Sequence, residues 1–172
     1  MSHYRFNLVD KFSEHLNDLI REKRGNHFHR DAGTLNWALS SQENVVPFEV
    51  VREGRCIGYG LLQTRNQPES GPPYWLPAMK ISRLLDYYLE GGTVDEYRAL
   101  IDFCISLSRK TRADVFECQC HEDRLAEAST QVGMVHLGGN HVFFRPPSDA
   151  SLDPGDSWFL THGEADVILG EN

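Results

Sequence analysis

Backbone groups at one turn, Glu90-Gly91-Gly92-Thr93, have the arrangement of an anion-binding site. A run with strand character ends at Leu89, and Thr93 and Glu96 have the spacing of a capping box that begins a helix. A turn between a strand end and a helix start leaves N–H groups that suit an anion or an acyl carrier. The same glycines also serve backbone geometry alone, and Asp95 and Glu96 place negative charge where a phosphate would lie. The sequence leaves both interpretations open.

Thiols and imidazoles offer a second kind of chemistry. Cys118 and Cys120 lie two apart in a predicted strand and so share a face, and His121 follows them. With His27 and His29 upstream, these side chains could meet around zinc. No Cys-x-x-Cys or His-x-x-x-His spacing supports such a site, so reduced thiols without a metal are the favoured interpretation. Cys120 would act as a nucleophile only beside a positively charged neighbour.

Composition limits the classes of protein that the chain can belong to. With 172 residues it can bury a core without disulfides or metals, so we expect one domain over residues 1–172. A net charge of −8 disfavours nucleic-acid binding, which requires clustered Lys and Arg. No apolar run reaches the roughly 20 residues of a membrane helix, and the first residues lack the apolar core of a signal peptide. We expect a cytoplasmic protein without nucleic-acid or membrane partners.

Hydrophobic periodicity and turn residues predict alternating strands and helices. Asp10 is the predicted N-cap of a helix with Phe12, Leu16, Leu19 and Ile20 on its inward face, and Thr34 is that of a second, shorter helix. Gly58 and Gly60 inside a predicted strand indicate a bulge or a close approach by another group. The predicted strands are residues 4–9, 46–51, 56–64, 80–89, 114–120, 135–145 and 157–161. Strands 46–51 and 56–64 form a predicted hairpin, and residues 65–77 are predicted to be a loop. The later helices begin at Thr93 and at His121, and the inward face of the first of them carries Val94, Tyr97, Leu100, Ile101, Cys104, Ile105 and Leu107.

This order of elements is mixed α/β (α+β) with a mainly antiparallel sheet, and it resembles the GNAT superfamily of acyl-CoA-dependent N-acyltransferases over nearly the whole chain. Ile57-Gly58-Tyr59-Gly60 is similar to the family's third strand, and Asp86-Tyr87-Tyr88-Leu89 resembles the end of its fourth. Residues 125–134, ending in Val132-Gly133-Met134, are similar to its fourth helix and the turn that follows. The resemblance implies a single GNAT-like domain whose cleft lies between strand 80–89 and a splayed strand 114–120.

The resemblance also implies a donor and an acceptor. The donor would be acetyl-CoA or another acyl-CoA, and the acceptor a small amine or amino sugar. The CoA would lie against backbone donors of a loop whose predicted binding residues are Leu89, Gly91, Gly92 and Thr93. A homodimer is compatible with this interpretation.

A carboxylate facing the cleft is the natural base for the attacking amine. On the resemblance, Asp86 is the candidate base, with Glu117 and His121 as second choices. The alternative for Asp86 is a structural carboxylate paired with Arg83 or with a backbone amide.

Two positions depart from the family pattern. The family's pyrophosphate loop usually reads Arg/Gln-x-x-Gly-x-Gly/Ala, whereas Glu90-Gly91-Gly92-Thr93 is shorter and lacks the basic residue. Ser129 stands where many members carry a tyrosine that protonates the leaving thiolate. A second hypothesis follows, in which the chain is a non-catalytic GNAT-like module that binds a ligand or a protein partner.

Overall fold

A five-stranded sheet forms the centre of the molecule, in the order β1-β3-β4-β5-β6. The computed structural model describes residues 4–21, 26–27, 30–69, 77–120, 122–136 and 158–159. The strands of this sheet are β1 Tyr4–Leu8, β3 Val45–Arg52, β4 Arg55–Gln67, β5 Met79–Leu89 and β6 Val115–Cys118. Two two-residue strands, β2 Asn26–His27 and β7 Trp158–Phe159, pair in parallel as a second sheet. The helices are α1 His15–Arg21, α2 Ala32–Ser40, α3 Val94–Lys110 and α4 Asp123–Gln131.

The predicted mixed and mainly antiparallel sheet is confirmed, because only the β5–β6 pair of the large sheet is parallel. The predicted hairpin is formed by β3 and β4, with Glu53 and Gly54 at φ 53° and 83° in its two-residue turn. Positive φ at both turn residues matches the right-handed twist of the strands. β4 continues to Gln67, which pairs with Met79, so the prediction of a loop from residue 65 is wrong.

Both glycines predicted at a bulge or close contact are confirmed in that role. The β3–β4 register shifts between Val50 and Val51, which makes Ile57 the extra residue beside Gly58. A Cβ on Gly58 would lie 2.2 Å from the Tyr88 carbonyl oxygen. A Cβ on Gly60 would lie 2.2 Å from the Phe48 ring. The close packing of β4 against its neighbours therefore requires glycine at both positions.

Two apolar clusters cover the two faces of the sheet. One packs α3 and α4 against it and includes Tyr87, Tyr97, Leu100 and Leu125. The other packs α1 and α2 against it and includes Leu16, Leu35, Tyr59 and Leu85. The predicted inward faces of α1 and α3 are thus confirmed, since Phe12, Leu16, Leu19, Ile20, Leu100, Ile101 and Cys104 are all buried.

Helix starts agree with the predictions where the signal is a complete capping motif. Both capping-box hydrogen bonds between Thr93 and Glu96 are present. The first two helices begin elsewhere than predicted. α1 begins at His15 rather than after Asp10, and the N-cap of α2 is Asp31, whose carboxylate accepts from the Thr34 N–H at 2.7 Å. Thr34 is therefore in the first turn, because an Asp three residues earlier already satisfies its amide.

Some predictions fall on residues that the structure does not describe. These are most of the predicted strand 135–145, the centre of the loop 65–77, and the side chains of His27, His29 and His121. The final predicted strand 157–161 is described only as the two residues of β7. Within the described part of the chain, no helix is long and apolar enough to cross a membrane.

Candidate functional site

A gap opens between β5 and β6 because the two strands pair for only part of their length. Residues 81–84 pair in parallel with residues 115–118, and β6 then ends at Cys118 while β5 continues to Leu89. The β4–β5 register shifts at the same level, where Leu85 is the extra residue between Leu84 and Asp86. No strand in the described part of the chain pairs with residues 85–89 on this side. The predicted splay is confirmed, and the bulge lies where it begins.

Side chains from four elements line the gap. Tyr87 comes from β5, Tyr97 from α3, Cys118 from β6, and Ser129 from α4. The Tyr87 and Tyr97 rings meet edge to face with centroids 6.2 Å apart. The Tyr97 hydroxyl donates to Glu122 Oε2 at 2.7 Å, which joins the start of α3 to the start of α4. Two phenols, two thiols and one carboxylate therefore lie close together beside the ends of β5 and β6.

Both phenols in the gap keep their protons at neutral pH. Burial raises the pKa of Tyr87 well above its ordinary value, and the neighbouring Tyr97 and Glu122 add to the effect. The pKa of Tyr97 is also raised, first by burial and then by its hydrogen bond to the Glu122 carboxylate. A phenol that stays protonated can donate to an anion that forms beside it.

Two thiols and a hydroxyl form a compact cluster where β6 ends. Cys120 Sγ lies 3.4 Å from Ser129 Oγ and 3.9 Å from Cys118 Sγ. Hydrogen bonding with Cys120, followed by burial, raises the pKa of Cys118 well above its ordinary value. The same hydrogen bond, with help from Ser129 and His136, lowers the pKa of Cys120 to about 6. His136 is the basic residue that contributes to this effect at Cys120.

Metal-ligand groups of the described residues meet at a place that the sequence did not indicate. Among the described residues, Cys118 and Cys120 do not gather a third ligand. His15, Glu49 and Cys56 do lie together, with His15 Nε2 3.3 Å from Glu49 Oε1. Their ligand atoms all lie within 4.8 Å of one another, and these three residues come from α1, β3 and β4. This is the group of the described chain that could hold a metal ion.

The loop after β5 has already used several of its backbone donors. The Thr93 N–H donates to Glu96 Oε2 at 2.7 Å, and the Glu96 N–H donates to Thr93 Oγ1 at 3.3 Å. The buried Glu96 carboxylate also accepts from Arg52 at 2.6 Å, so its charge is compensated. Arg124 Nη1, from the first turn of α4, donates to the Gly92 carbonyl oxygen at 2.8 Å. A cation from another helix therefore lies beside this loop.

The two glycines of this loop have separate roles. Gly91 has φ 62°, and a Cβ placed on it would meet nothing within 4 Å. A Cβ on Gly92 would lie 2.8 Å from the Tyr97 ring, so this glycine permits close packing under the gap. Gly91 is therefore the loop residue whose surroundings leave room for a ligand, and Gly92 is required by the fold.

Asp86 lies on β5 but its carboxylate is held by several donors. Arg30 Nε donates to both of its oxygens at 3.1 Å. The Tyr59 hydroxyl donates at 3.1 Å and the Tyr87 N–H at 2.9 Å. Tyr59 belongs to the apolar cluster under α1 and α2, so this ion pair lies on that face of the sheet. Of the two alternative partners expected for Asp86, the backbone amide is confirmed as the Tyr87 N–H, and Arg83 is wrong because Arg30 pairs with the carboxylate.

The second-choice residues are not brought together with Asp86. Glu117 Oε1 accepts from Arg83 Nε at 2.5 Å, on the paired part of β5 and β6. His121 lies outside the described residues. The sequence reasoning missed Arg30, Tyr97, Glu122 and Arg124. Tyr97 was read only as part of the apolar face of α3, and for the other three nothing local in the sequence indicates a partner.

An acyl-CoA donor has three parts that the site would have to accommodate: an amide-bearing arm, a thioester and a diphosphate. The β5 edge at residues 85–89 suits the arm, since backbone amides pair with a strand edge. The protonated phenols suit the thioester sulfur. Arg124 and the open side of Gly91 suit the diphosphate, while the exposed Asp95 opposes it. The residues present fit such a donor, with its phosphates held from α4 rather than by the side chains of the loop.

Comparisons with known proteins bear on the fold. No protein-family model matches the chain, and the curated proteins include no match. A solved ribosomal-protein-alanine N-acetyltransferase from Brucella melitensis is 13% identical with a TM-score of 0.57, over 83% of this chain and 99% of its own. An aminoglycoside acetyltransferase from an uncultured soil metagenomic sample, solved with sisomicin, is 13% identical with a TM-score of 0.57, over 84% and 97%. A Trypanosoma brucei acetyltransferase is 13% identical with a TM-score of 0.54, over 83% and 100%. This chain therefore has the fold of the GNAT N-acyltransferase superfamily.

Proposed function

We propose that this chain, as a single domain, is an acyl-CoA-dependent N-acyltransferase that acts on a small amine or an amino sugar. The observation that carries the proposal is the gap that begins at the Leu85 bulge, where β5 and β6 diverge after residues 84 and 118. The Tyr97–Glu122 pair close to it could hold and move protons, and the fold is shared with solved acetyltransferases.

Different residues of the chain would bind different parts of the donor. The β5 edge at residues 85–89 would pair with the amide-bearing arm, and Arg124 would face the phosphates. When bound, the donor supplies an acyl group activated as a thioester. The buried Tyr87 and Tyr97 rings form the apolar side of the gap and exclude water from it.

Proton transfer in the gap would run through one hydrogen bond. Glu122 is the carboxylate that can take the proton lost by the attacking amine. Burial raises the pKa of Tyr97, so its phenol stays protonated and can donate a hydrogen bond to a leaving thiolate. The 2.7 Å contact with Glu122 would let the proton taken from the amine reach the thiolate through the Tyr97 hydroxyl. In this proposal Asp86 holds β5 to Arg30 and takes no part in proton transfer.

A ligand- or protein-binding module without catalysis is the second candidate. The observation that favours it is the capping box, in which Thr93 and the buried Glu96 take up donors that a phosphate would otherwise use. Such a module would bind CoA weakly or not at all, and no amine would release free CoA from acetyl-CoA.

An assay of CoA release separates the two candidates. Acetyl-CoA is incubated with the protein and a panel of aliphatic amines, amino-acid amines and amino sugars, and free thiol is measured. We expect release with at least one amine, and a loss of about 10²- to 10⁴-fold in Glu122→Gln. Glu127→Gln is the matched control, because Glu127 is an exposed residue of the same helix that contacts Gln131. Release with no amine, or equal rates in both variants, would contradict the proposal.

A further inference from the structure

Three metal-ligand side chains meet beside the start of α1. His15, Glu49 and Cys56 come from α1, β3 and β4, and their ligand atoms all lie within 4.8 Å of one another. None of these residues takes part in the proposed acyl transfer. Cys56 packs against the apolar cluster under α1 and α2, whereas Tyr87 and Tyr97 belong to the other cluster. The three side chains therefore lie on the face of the sheet opposite the two phenols.

The bulge in β4 makes Glu49 and Cys56 neighbours. Glu49 pairs with Tyr59, and Val51 pairs with Cys56 because Ile57 is the extra residue of the bulge. Glu49 and Val51 share a face because they alternate along β3, and their partners share that face with them. In a regular strand, Cys56 and Tyr59 would point to opposite faces, since they are three residues apart. The bulge therefore turns Cys56 to the side of Glu49, as its diagonal neighbour across the strand pair.

The histidine ring is oriented by a second contact. Ser13 Oγ contacts His15 Nδ1 in a hydrogen bond, while His15 Nε2 lies 3.3 Å from Glu49 Oε1. Metal-bound histidines usually donate the other ring N–H to a hydrogen-bond partner, which fixes the ring and its tautomer. When Nδ1 carries the proton and donates it to Ser13, the Nε2 lone pair faces a carboxylate oxygen. A cation must then lie between these two atoms, either a proton or a metal ion.

The charges around Cys56 favour a metal ion at this place. The Glu49 side chain is 13% exposed, and within the described residues His15 is the side chain that pairs with its carboxylate. Burial raises the pKa of Cys56, and the charges of Glu49 and Glu90 add to the effect. Glu90 Oε1 accepts from the exposed Arg55, but Glu90 Oε2 is buried and no donor in the described part of the chain reaches it. Carboxylates removed from water are normally paired or bound to a metal.

We propose that His15, Glu49 and Cys56 bind one zinc ion, with the fourth position open to solvent. Imidazole, carboxylate and thiolate ligands together suit Zn²⁺, which prefers tetrahedral coordination. At zinc bond lengths, the ligand atoms of a tetrahedron lie about 3.3–3.8 Å apart. The His15–Glu49 distance of 3.3 Å has this value. The Cys56 sulfur has to approach by no more than about 1 Å, since all three atoms lie within 4.8 Å.

Binding would neutralise the site and tie α1 to the sheet. The ion displaces the Cys56 proton to solvent, so a thiolate and a carboxylate balance its two positive charges. The open position lies at the surface, because the His15 side chain is 51% exposed, and it would hold water. The site is independent of the proposed function, since it involves neither the acyl donor nor the gap between β5 and β6.

Cobalt substitution identifies the ligands, because Co²⁺ binds to the same kinds of ligand as Zn²⁺ and reports a bound thiolate by a sulfur-to-cobalt charge-transfer absorption. The reduced protein is freed of metal with EDTA, exchanged into buffer without it, and titrated with Co²⁺ and then with Zn²⁺. We expect saturation at one Co²⁺ per chain, a charge-transfer band, and loss of that band when Zn²⁺ displaces the cobalt. The band should be absent in Cys56→Ser. Cys120→Ser is the matched control and should keep the band, because Cys120 is an exposed thiol at the end of β6.

Affinity for Zn²⁺, measured in competition with a chromophoric chelator, tests the other two contacts. Ser13→Ala should weaken binding about 10- to 100-fold, as expected for the partner of a ligating histidine. Glu49→Gln should weaken it further, because the ion then loses a charged ligand while the side chain keeps its shape. Thermal unfolding of each variant in EDTA shows that the loss of binding is not a loss of folding.

The contradicting results are equally specific. A charge-transfer band that survives in Cys56→Ser and disappears in Cys120→Ser would place the metal at Cys118 and Cys120 and overturn the inference. No saturable binding of either metal would also overturn it and leave His15 and Glu49 as an ion pair that shares a proton. Unchanged affinity in Glu49→Gln would exclude the carboxylate as a ligand and contradict the site. Acyl transfer is not measured in these experiments, so their failure would leave the proposed function standing.

Discussion

Replacing Asp86 with asparagine should destabilise the fold rather than slow a chemical step directly. The Asp86 and Arg30 side chains are 9% and 6% exposed, and Arg30 Nε lies 3.1 Å from both carboxylate oxygens. Asp86→Asn keeps the shape of the side chain but leaves the Arg30 charge without this carboxylate in a buried site. Breaking a buried pair in this way costs about 3–5 kcal/mol of the free energy of unfolding. For a chain of this size that corresponds to a fall in Tm of about 6–20 °C.

Thermal unfolding followed by circular dichroism measures this effect. Asp95→Asn is the matched control, because the Asp95 side chain is 74% exposed and its pairing with Arg98 is at the surface. Replacing both partners with apolar residues, as in Arg30→Met with Asp86→Leu, should recover much of the loss, since neither charge of this pair then remains. A variant Asp86→Asn that melts like the wild type but has lost acyl transfer would refute this reasoning and identify Asp86 as the base.

Three further variants test other parts of the structure. Asp95→Asn removes an anion from the first turn of α3, so acetyl-CoA should bind about two- to fivefold more tightly in calorimetric titration. Unchanged affinity would argue against a site at this loop. Gly58→Ala places a Cβ 2.2 Å from the Tyr88 carbonyl oxygen and should lower the free energy of unfolding, measured in urea, by about 1–3 kcal/mol. A variant as stable as the wild type would show that β4 and β5 can separate locally. Tyr97→Phe removes the hydroxyl that contacts Glu122, so kcat should fall about 10²- to 10⁴-fold, and an unchanged kcat would exclude the phenol as the proton donor.

Local features of the fold could be predicted from the sequence because their partners are close in the chain. Thr93 and Glu96 satisfy each other's backbone groups within one helical turn, so their spacing alone reveals the start of α3. Glu53 and Gly54 form a two-residue turn between two runs of β-forming residues. α2 is the instructive exception, because Asp31 and Thr34 are both good N-cap residues and only the earlier one is used.

The charged contacts of the site depend on the tertiary fold and could not be predicted. Asp86 is 56 positions from Arg30, so the choice between Arg30 and the nearby Arg83 is made by the approach of the segment before α2 to β5. Arg83 instead meets Glu117, 34 positions away, because β5 and β6 run in parallel there. The cation beside the loop, Arg124, likewise comes from α4. The family resemblance implied a gap between the strands, while the identity of the charged groups near it required the structure.

Calorimetric titration with acetyl-CoA tests most directly whether an acyl-CoA binds in the gap between β5 and β6. The wild type is compared with Arg124→Gln and with Arg109→Gln, which changes an exposed arginine in the last turn of α3. We expect saturable one-site binding to the wild type and to Arg109→Gln. A hydrogen bond to a charged group contributes about 1.5–3 kcal/mol, so Arg124→Gln should weaken binding by about 10- to 100-fold. No saturable binding to the wild type, or equal affinity in all three proteins, would contradict a donor site in this gap.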